Sequence, residues 1–347
     1  MGRGEASQQR CAPPGVNPRS LPAATLDQDR RLLEATIDDV AARTERALLA
    51  AYVGRRERSP EERFRDAFLT LVDLAGNEPA AFKLWLVDGV GAGPDALARA
   101  DSLRALLERL ASAAFEGRRH EPAMPSELVK AIVGGLHLVI HARLRADRAD
   151  ELAELAPDLL AWALSYRPPN GRLMPRRMPD PDPVPSPSPR PSRPDDAVDA
   201  LVGDRERRLL ETTADAHRGG THWPNAIGTG FYTFFASLAG DARGARLGDL
   251  ATRSGGTAAL SLCETLTASC ETLLAGGYRL SPWTPPIASE AIGASVAAAF
   301  HEYVQEGRAD RLYELAPVAT FLALAPFVSN AQATAIATES SPSASPR

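Results

Sequence analysis

Two stretches of this sequence, residues 122–157 and residues 282–317, decide the predicted fold. The first reads PAMPSELVKAIVGGLHLVIHARLRADRADELAELAP, and the second reads PWTPPIASEAIGASVAAAFHEYVQEGRADRLYELAP. They align without a gap at a spacing of 160 residues, and thirteen of the 36 positions are identical. Chance matching at ordinary composition would give about three identities. An internal repeat of this kind predicts two copies of one structural unit.

Apolar residues recur every three or four positions in both copies, which is the period of a helix with one buried face. Ser59-Pro60-Glu61-Glu62 predicts a helix start, because Ser59 and Glu62 can form a capping box and Pro60 suits the first turn. Six helices and no strand are predicted in the first copy. Helices of the second copy are predicted at about 205–217, 225–239, 242–252, 257–275, 286–306 and 308–325. The predicted class is all-α, with two tandem six-helix bundles joined by a proline-rich linker.

Changes in composition divide the chain into five predicted parts. Proline stands at every second position from Pro181 to Pro191, which favours an extended spacer between the two helical units. Both ends are polar or rich in small residues and lack periodicity, which predicts disorder. The predicted parts are a disordered arm at 1–25, a helical domain at 26–166, a linker at 167–203, a second and more divergent helical domain at 204–327, and a disordered tail at 328–347.

The composition limits the classes of function. A formal net charge of −5 provides no overall positive field that would attract nucleic acid or acidic lipid. Three scattered cysteines, Cys11, Cys263 and Cys270, form no disulfide framework, so a reducing, cytoplasmic location is expected. No signal peptide is expected at the N-terminus. The longest apolar run, Val318–Val328, is shorter than the roughly 20 residues that span a bilayer, so no membrane partner is expected.

Several short stretches of the first unit carry a family resemblance. They are Leu48–Tyr52, Phe68–Gly76, Glu78-Pro79, Leu84–Asp88, Gly91–Ala98, Glu116–Arg118, Val133–Gly135 and His141–Leu144. Through them, residues 29–166 resemble the C-terminal ligand-binding and dimerisation domain of TetR/AcrR-family transcriptional regulators. The second unit resembles the same domain mainly through the first. The resemblance implies a regulator-like role, in which the helical domains sense a small apolar molecule or bind a partner.

The same family places a three-helix DNA-binding head before this domain. The sequence before Leu32 contains no helix-turn-helix pattern, so little specific DNA binding is expected. One alternative is a DNA-binding repressor that uses a degenerate helix-turn-helix at about 205–240, where Gly228–Ser237 resembles the family's recognition helix. A second alternative is an interaction protein without a head, which sequesters intact regulators.

No pattern of catalytic residues is present. His137 and His141 lie four residues apart, a spacing that can hold a metal, but no zinc-protease or di-iron motif accompanies them. We therefore expect no catalytic residue, no metal, no cofactor and no enzyme activity. The resemblance instead favours an apolar pocket with a few polar groups, and plain core is the alternative. The predicted pocket residues are Phe64, Phe68, Phe82, Trp85, Leu106, His137 and His141.

The last prediction concerns how the two units meet. In the resembled family, the last two helices of one subunit pack against the same helices of a second subunit, and here both copies lie in one chain. Small residues in the middle of a helix suit close approach of another helix. Helices 126–166 are therefore predicted to pack on helices 286–325 as an intramolecular pseudo-dimer, with a homodimer as the alternative. The predicted interface residues are Gly134, Gly135, Leu152, Leu155, Leu159, Ala294, Ser295, Leu312, Leu315 and Phe321.

Overall fold

The computed structural model describes residues 23–54, 56–91, 94–116, 122–174, 222–239 and 257–339, together with residues 207, 210, 211 and 214. These residues form helices and turns without any strand, so the all-α prediction is confirmed. The helices are α1 (Ala23–Val53), α2 (Pro60–Asn77), α3 (Pro79–Leu86), α4 (Pro94–Glu116), α5 (Ser126–Arg145), α6 (Leu152–Ser165), α7 (Trp223–Ala239), α8 (Thr257–Leu280), α9 (Ala288–Gln305), α10 (Leu315–Leu324) and α11 (Asn330–Glu339). Short 3₁₀ turns lie at Asp88–Gly91, Ala149–Glu151 and Ala309–Glu314.

The α2 helix shows how the local sequence sets a helix and its buried face. Ser59 Oγ accepts a hydrogen bond from the Glu62 amide at 3.2 Å, and Glu62 Oε2 accepts one from the Ser59 amide at 2.9 Å. The predicted capping box is therefore present, and caps of this kind contribute about 0.5–2 kcal/mol. The helix packs on α1, α4 and α6. Its buried residues are Phe64, Ala67, Phe68, Leu71, Val72 and Ala75.

The sequence repeat recurs in the backbone at the turns that follow α5 and α9. The amide of Arg148 donates to the carbonyl five residues earlier at 2.8 Å, and the amide of Arg308 does the same at 2.9 Å. The residue before each donor has a left-handed backbone, with φ of 57° at Asp147 and 72° at Gly307. Aspartate and glycine are among the residues that tolerate this conformation. A 3₁₀ turn then leads into the next helix in both copies. The two stretches therefore have the same backbone structure: a long helix, a turn with one left-handed residue, a 3₁₀ turn and a second helix.

The packing of the helices repeats as well. In the first unit, α2 packs on α6 and α4 packs on α5. In the second unit, α7 packs on α10 and α8 packs on α9, so α7 and α8 stand in for α2 and α4. The helix predicted at 242–252 lies outside the described residues, and so does most of the helix predicted at 205–217.

The two units meet along α5 and α9. A β-carbon added to Gly134 would collide with the β-carbon of Ala298. One added to Gly135 would collide with Ser295 Oγ and would stand 2.8 Å from Ala291 O. Ser295 follows Gly135 by 160 residues, so each of these two residues faces its own equivalent. Equivalent residues meet each other at a two-fold axis. The pseudo-two-fold axis therefore passes between Gly135 and Ser295.

Ion pairs join α5 to α9 on both sides of this axis. On one side, Lys130 Nζ lies 2.5 Å from Glu302 Oε1. On the other side, two guanidinium nitrogens of Arg143 donate to the Glu290 carboxylate at 2.6 and 2.7 Å. A bidentate pair of this kind has a specific geometry and orients one helix relative to the other. The first unit supplies both cations and the second unit supplies both anions.

The helices that flank the junction also cross between the units. The α6 helix contacts α9, and α10 contacts α5. The Tyr166 hydroxyl adds a buried hydrogen bond, donating to Leu322 O at 2.8 Å. The predicted interface residues on these segments are buried, except Leu155, which is half-buried; they are Leu152, Leu155, Leu159, Leu312, Leu315 and Phe321.

Three predicted boundaries are wrong. The tail predicted to be disordered from residue 328 contains α11, because that helix is anchored to the beginning of the predicted linker. Asn330 Nδ2 donates to Pro168 O at 2.6 Å, and the Asn170 amide donates to Thr334 Oγ1 at 3.1 Å. The first residues of the predicted linker therefore belong to the folded structure. Helix α1 begins at Ala23, inside the predicted arm. Residues 1–22, 175–203 and 340–347 lie outside the described residues.

Candidate functional site

A cleft of about 250 Å³ lies between α1 and α4. Two of the predicted pocket residues, Trp85 and Leu106, line it. The wall combines small apolar side chains with charged groups, so a ligand there would meet both kinds of surface. The complete lining is Ala41, Ala42, Glu45, Trp85, Arg99, Ser102, Leu103, Ala105, Leu106 and Arg109.

Trp85 is held in place by the short helix α3. Its position relative to Phe82 is i to i+3, which brings the two rings to one helix face. The ring centroids lie 5.7 Å apart with an interplanar angle of 55°. Trp85 is 1% exposed, and its buried Nε1 has no hydrogen-bond acceptor among the described residues. Leaving a buried donor unpaired costs about 1–3 kcal/mol.

Charged side chains of α1 and α4 surround the cleft. Arg99 Nε donates to Asp38 Oδ1 at 2.7 Å and so links the two helices. Glu45 and Arg109 also line the cleft, and neither forms an ion pair within the described part of the chain. Their opposite charges balance, so the cleft suits a neutral ligand better than an ion.

The structure divides the predicted pocket residues among three places. Trp85 and Leu106 line the α1–α4 cleft, and His141 lines a different cavity. Phe64, Phe68 and Phe82 are buried in the core and line neither cavity. These three aromatic side chains contribute to the packed core of the first unit.

Burial determines the protonation of the two histidines on α5. Burial lowers the pKa of His137 to about 4, with smaller contributions from the positive charges of His141 and Arg104. Burial likewise lowers the pKa of His141 to about 4, and Arg145 adds to this shift. Both imidazoles are therefore neutral at pH 7, and each has one donor and one acceptor nitrogen. His137 Nε2 is buried without a hydrogen-bond partner among the residues described.

A second cavity, of about 230 Å³, lies between α5, α8 and α9, where the two units meet. His141 lines it, and the described structure offers no hydrogen-bond partner to its ring. Most of this wall comes from residues that sequence reasoning did not select. The complete lining is Leu138, Val139, His141, Ala142, Arg145, Glu264, Thr267, Ala268, Glu271, Glu290 and Ala294.

Within the described ranges, no three His, Cys, Asp or Glu side chains come together as a metal site would require. Among the described helices, none combines the length and the apolar character needed to cross a bilayer. Comparisons of the chain with protein-family models, with curated proteins and with solved structures give no match. The function proposed below therefore rests on the helices, the two cavities and the junction of this protein.

Proposed function

We propose that this protein is a regulator-type sensor, built from two TetR C-terminal-like helical units, which binds a small, largely apolar molecule between α1 and α4. One observation carries the proposal: Trp85 lines the cleft, and its buried indole N–H has no acceptor within the described structure. Folded proteins leave few buried donors unpaired. A carbonyl or ether oxygen of the ligand accepts this hydrogen bond.

The size and charge of the cleft limit the ligand. Binding pockets for small molecules usually measure about 300–1,000 Å³, so a cleft of about 250 Å³ suits a small metabolite. Ala41, Leu103 and Leu106 provide apolar contact surface, while the charges of Glu45 and Arg109 cancel. The ligand class is therefore a neutral compound with an aromatic or aliphatic body and one acceptor oxygen.

Helix packing connects the cleft to the junction. The ligand touches α1 and α4, and α4 packs on α5, which forms the junction with α9. A ligand that moves α4 relative to α1 therefore changes the contacts of α5. Packed helices transmit such shifts because their interfaces allow a few discrete arrangements rather than continuous deformation. In this proposal, the sensed signal appears as a change at the α5–α9 junction.

The charges at the junction favour the pseudo-dimer over a homodimer. Within one chain, Lys130 and Arg143 of α5 face Glu302 and Glu290 of α9. If two α5 helices from different chains met with the same geometry, Lys130 would face Arg143. Two α9 helices would place Glu290 against Glu302. Opposed like charges reject the wrong partner, so each α5 selects an α9.

The Trp85 proposal is tested with Trp85→Phe, which removes the N–H and keeps an aromatic ring. Small aromatic carbonyl compounds, such as acetophenone and methyl benzoate, are titrated while the melting temperature and the tryptophan fluorescence are recorded. A bound compound should raise the melting temperature of the wild-type protein by mass action. Because a hydrogen bond contributes about 0.5–1.5 kcal/mol, Trp85→Phe should weaken binding by up to about tenfold.

Trp162→Phe is the matched control. Trp162 is also 1% exposed, but it lies in α6 and does not line the cleft. This variant should lose stability and keep its affinity for the ligand. The proposal is wrong if no compound of this class stabilises the protein, or if the two variants lose affinity equally.

A further inference from the structure

The cavity between α5, α8 and α9 has a counterpart across the pseudo-two-fold axis, and the counterpart is filled. The pseudo-symmetry exchanges α5 with α9 and replaces α8 with α4. On the α4 side, Lys130 pairs with Glu302 at 2.5 Å and Arg104 pairs with Glu108 at 3.0 Å. The four side chains are neighbours, since burial raises the pKa of Glu108 and the charges of Arg104, Glu302 and Lys130 act on it as well. Two cations and two anions thus occupy that side of the junction.

On the α8 side, the position equivalent to Glu302 carries alanine. Ala142 precedes Glu302 by 160 residues and lines the open cavity. The long carboxylate side chain that helps to close one side of the junction is therefore a methyl group on the other.

The charges left in the cavity do not balance. Glu264 pairs with Arg145, and Glu290 pairs with Arg143. Glu271 also lines the cavity, and it forms no ion pair with any residue that the structure describes. Among the described residues, one carboxylate of the site is therefore uncompensated, which favours a ligand with a single positive charge.

The buried part of the cavity offers apolar surface and one unused polar group. Leu138, Val139 and Ala294 contribute the apolar surface. His141 is 5% exposed, and its neutral ring lacks a hydrogen-bond partner among the described residues. A buried imidazole in this state has an acceptor nitrogen available to a ligand. The cavity therefore complements a ligand that has an apolar body and a positively charged end.

We propose that the cavity between α5, α8 and α9 binds a small organic amine, whose ammonium group pairs with Glu271 and whose apolar body lies against Leu138, Val139 and Ala294. His141 accepts a hydrogen bond from the ammonium or from another donor of the ligand. Since α5 belongs to the first unit and α8 and α9 to the second, the amine holds both units together. This site is separate from the Trp85 cleft and does not depend on the function proposed for that cleft.

The site is tested by isothermal titration calorimetry of the full-length protein with benzylamine at pH 7, where the amine is charged. One saturable site per chain is expected. The uncharged analogue benzyl alcohol should bind at least about tenfold more weakly, and Glu271→Gln should weaken benzylamine binding to a similar degree. Ala142→Leu should abolish binding, because the added side chain refills the cavity.

Matched variants separate the site from general effects. Glu154→Gln removes one exposed carboxylate from α6, and Ala153→Leu adds the same bulk to an exposed position of α6. Both variants should bind benzylamine like the wild type, and so should Trp85→Phe. The inference is overturned if benzylamine shows no saturable binding, if Glu271→Gln or Ala142→Leu binds it normally, or if Glu154→Gln weakens binding equally.

Discussion

Replacing Gly135 by alanine tests the close packing at the pseudo-two-fold axis. The added methyl group would collide with Ser295 Oγ and stand 2.8 Å from Ala291 O, a backbone atom that cannot rotate away. Overpacking of this kind costs about 1–3 kcal/mol. Alanine also gains about 0.5–1 kcal/mol over glycine inside a helix. We therefore expect Gly135→Ala to lower the free energy of unfolding by about 0.5–2 kcal/mol.

Gly76→Ala is the matched control for this substitution. Gly76 lies within α2, and the nearest atom that its added β-carbon would meet is Ala149 O at 3.8 Å, an ordinary contact. The control gains helix propensity without a collision, so its free energy of unfolding should rise by about 0.5–1 kcal/mol. The difference between the two variants cancels the propensity and leaves the packing cost, about 1–3 kcal/mol.

Urea denaturation monitored by circular dichroism measures both variants, because a change in midpoint at constant slope reports a change in stability. Ser295→Gly opens the space opposite Gly135, so the double variant should recover the part of the loss that the Ser295 hydroxyl causes. Gly135→Leu should overpack the junction and separate the two units. The close approach of α5 and α9 is wrong if Gly135→Ala matches Gly76→Ala in stability, or if Ser295→Gly recovers nothing.

Acid should destabilise the fold through His137 and His141, whose pKa values of about 4 lie below the ordinary 6.5. Between pH 7 and pH 5 the unfolded chain binds protons that the folded chain excludes. Each histidine should therefore lower the free energy of unfolding by about 2 kcal/mol, and a double His→Gln variant should flatten this pH dependence in urea titrations. Light scattering should give the 37.0 kDa of one chain, since α5 finds its partner within the chain; a stable mass of twice that value would favour the homodimer. Gel-shift assays with DNA from upstream of its own gene should show no tight, salt-sensitive complex, because the net charge is −5; such a complex would favour the repressor alternative.

Local sequence signals predicted the features that depend on neighbours in the chain. The cap at Ser59 requires only Glu62, three residues away. The glycine at position 135 was informative for a similar reason. Glycine destabilises the middle of a helix, so its presence there indicates a close contact even when the partner is unknown.

Features that depend on distant contacts were missed. Helix α11 consists mainly of alanine, threonine and polar residues, which resemble a disordered tail by composition. Its order comes from contacts with residues about 160 positions earlier, such as Asn330 with Pro168. Phe64 and Phe68 line neither of the two cavities, and an aromatic stripe has the same sequence pattern whether it faces a cavity or packs in a core. Glu271 was not selected, since only the folded chain brings α8 beside His141.

A repeat within one chain can place different residues at equivalent positions on the two sides of its pseudo-two-fold axis, which a symmetric homodimer cannot do. A two-fold axis between identical chains places the same residues on both sides, so each side must serve the same purpose. Here Gly135 provides the space that its equivalent Ser295 fills, whereas two serines would collide and two glycines would leave a gap. The two copies also differ in their side chains farther from the axis. The charged pair of Lys130 and Glu302 closes one side of the junction, and Ala142, the equivalent of Glu302, leaves the other side open. Divergence of the two copies thus stabilises the junction on one side and leaves room for a ligand on the other.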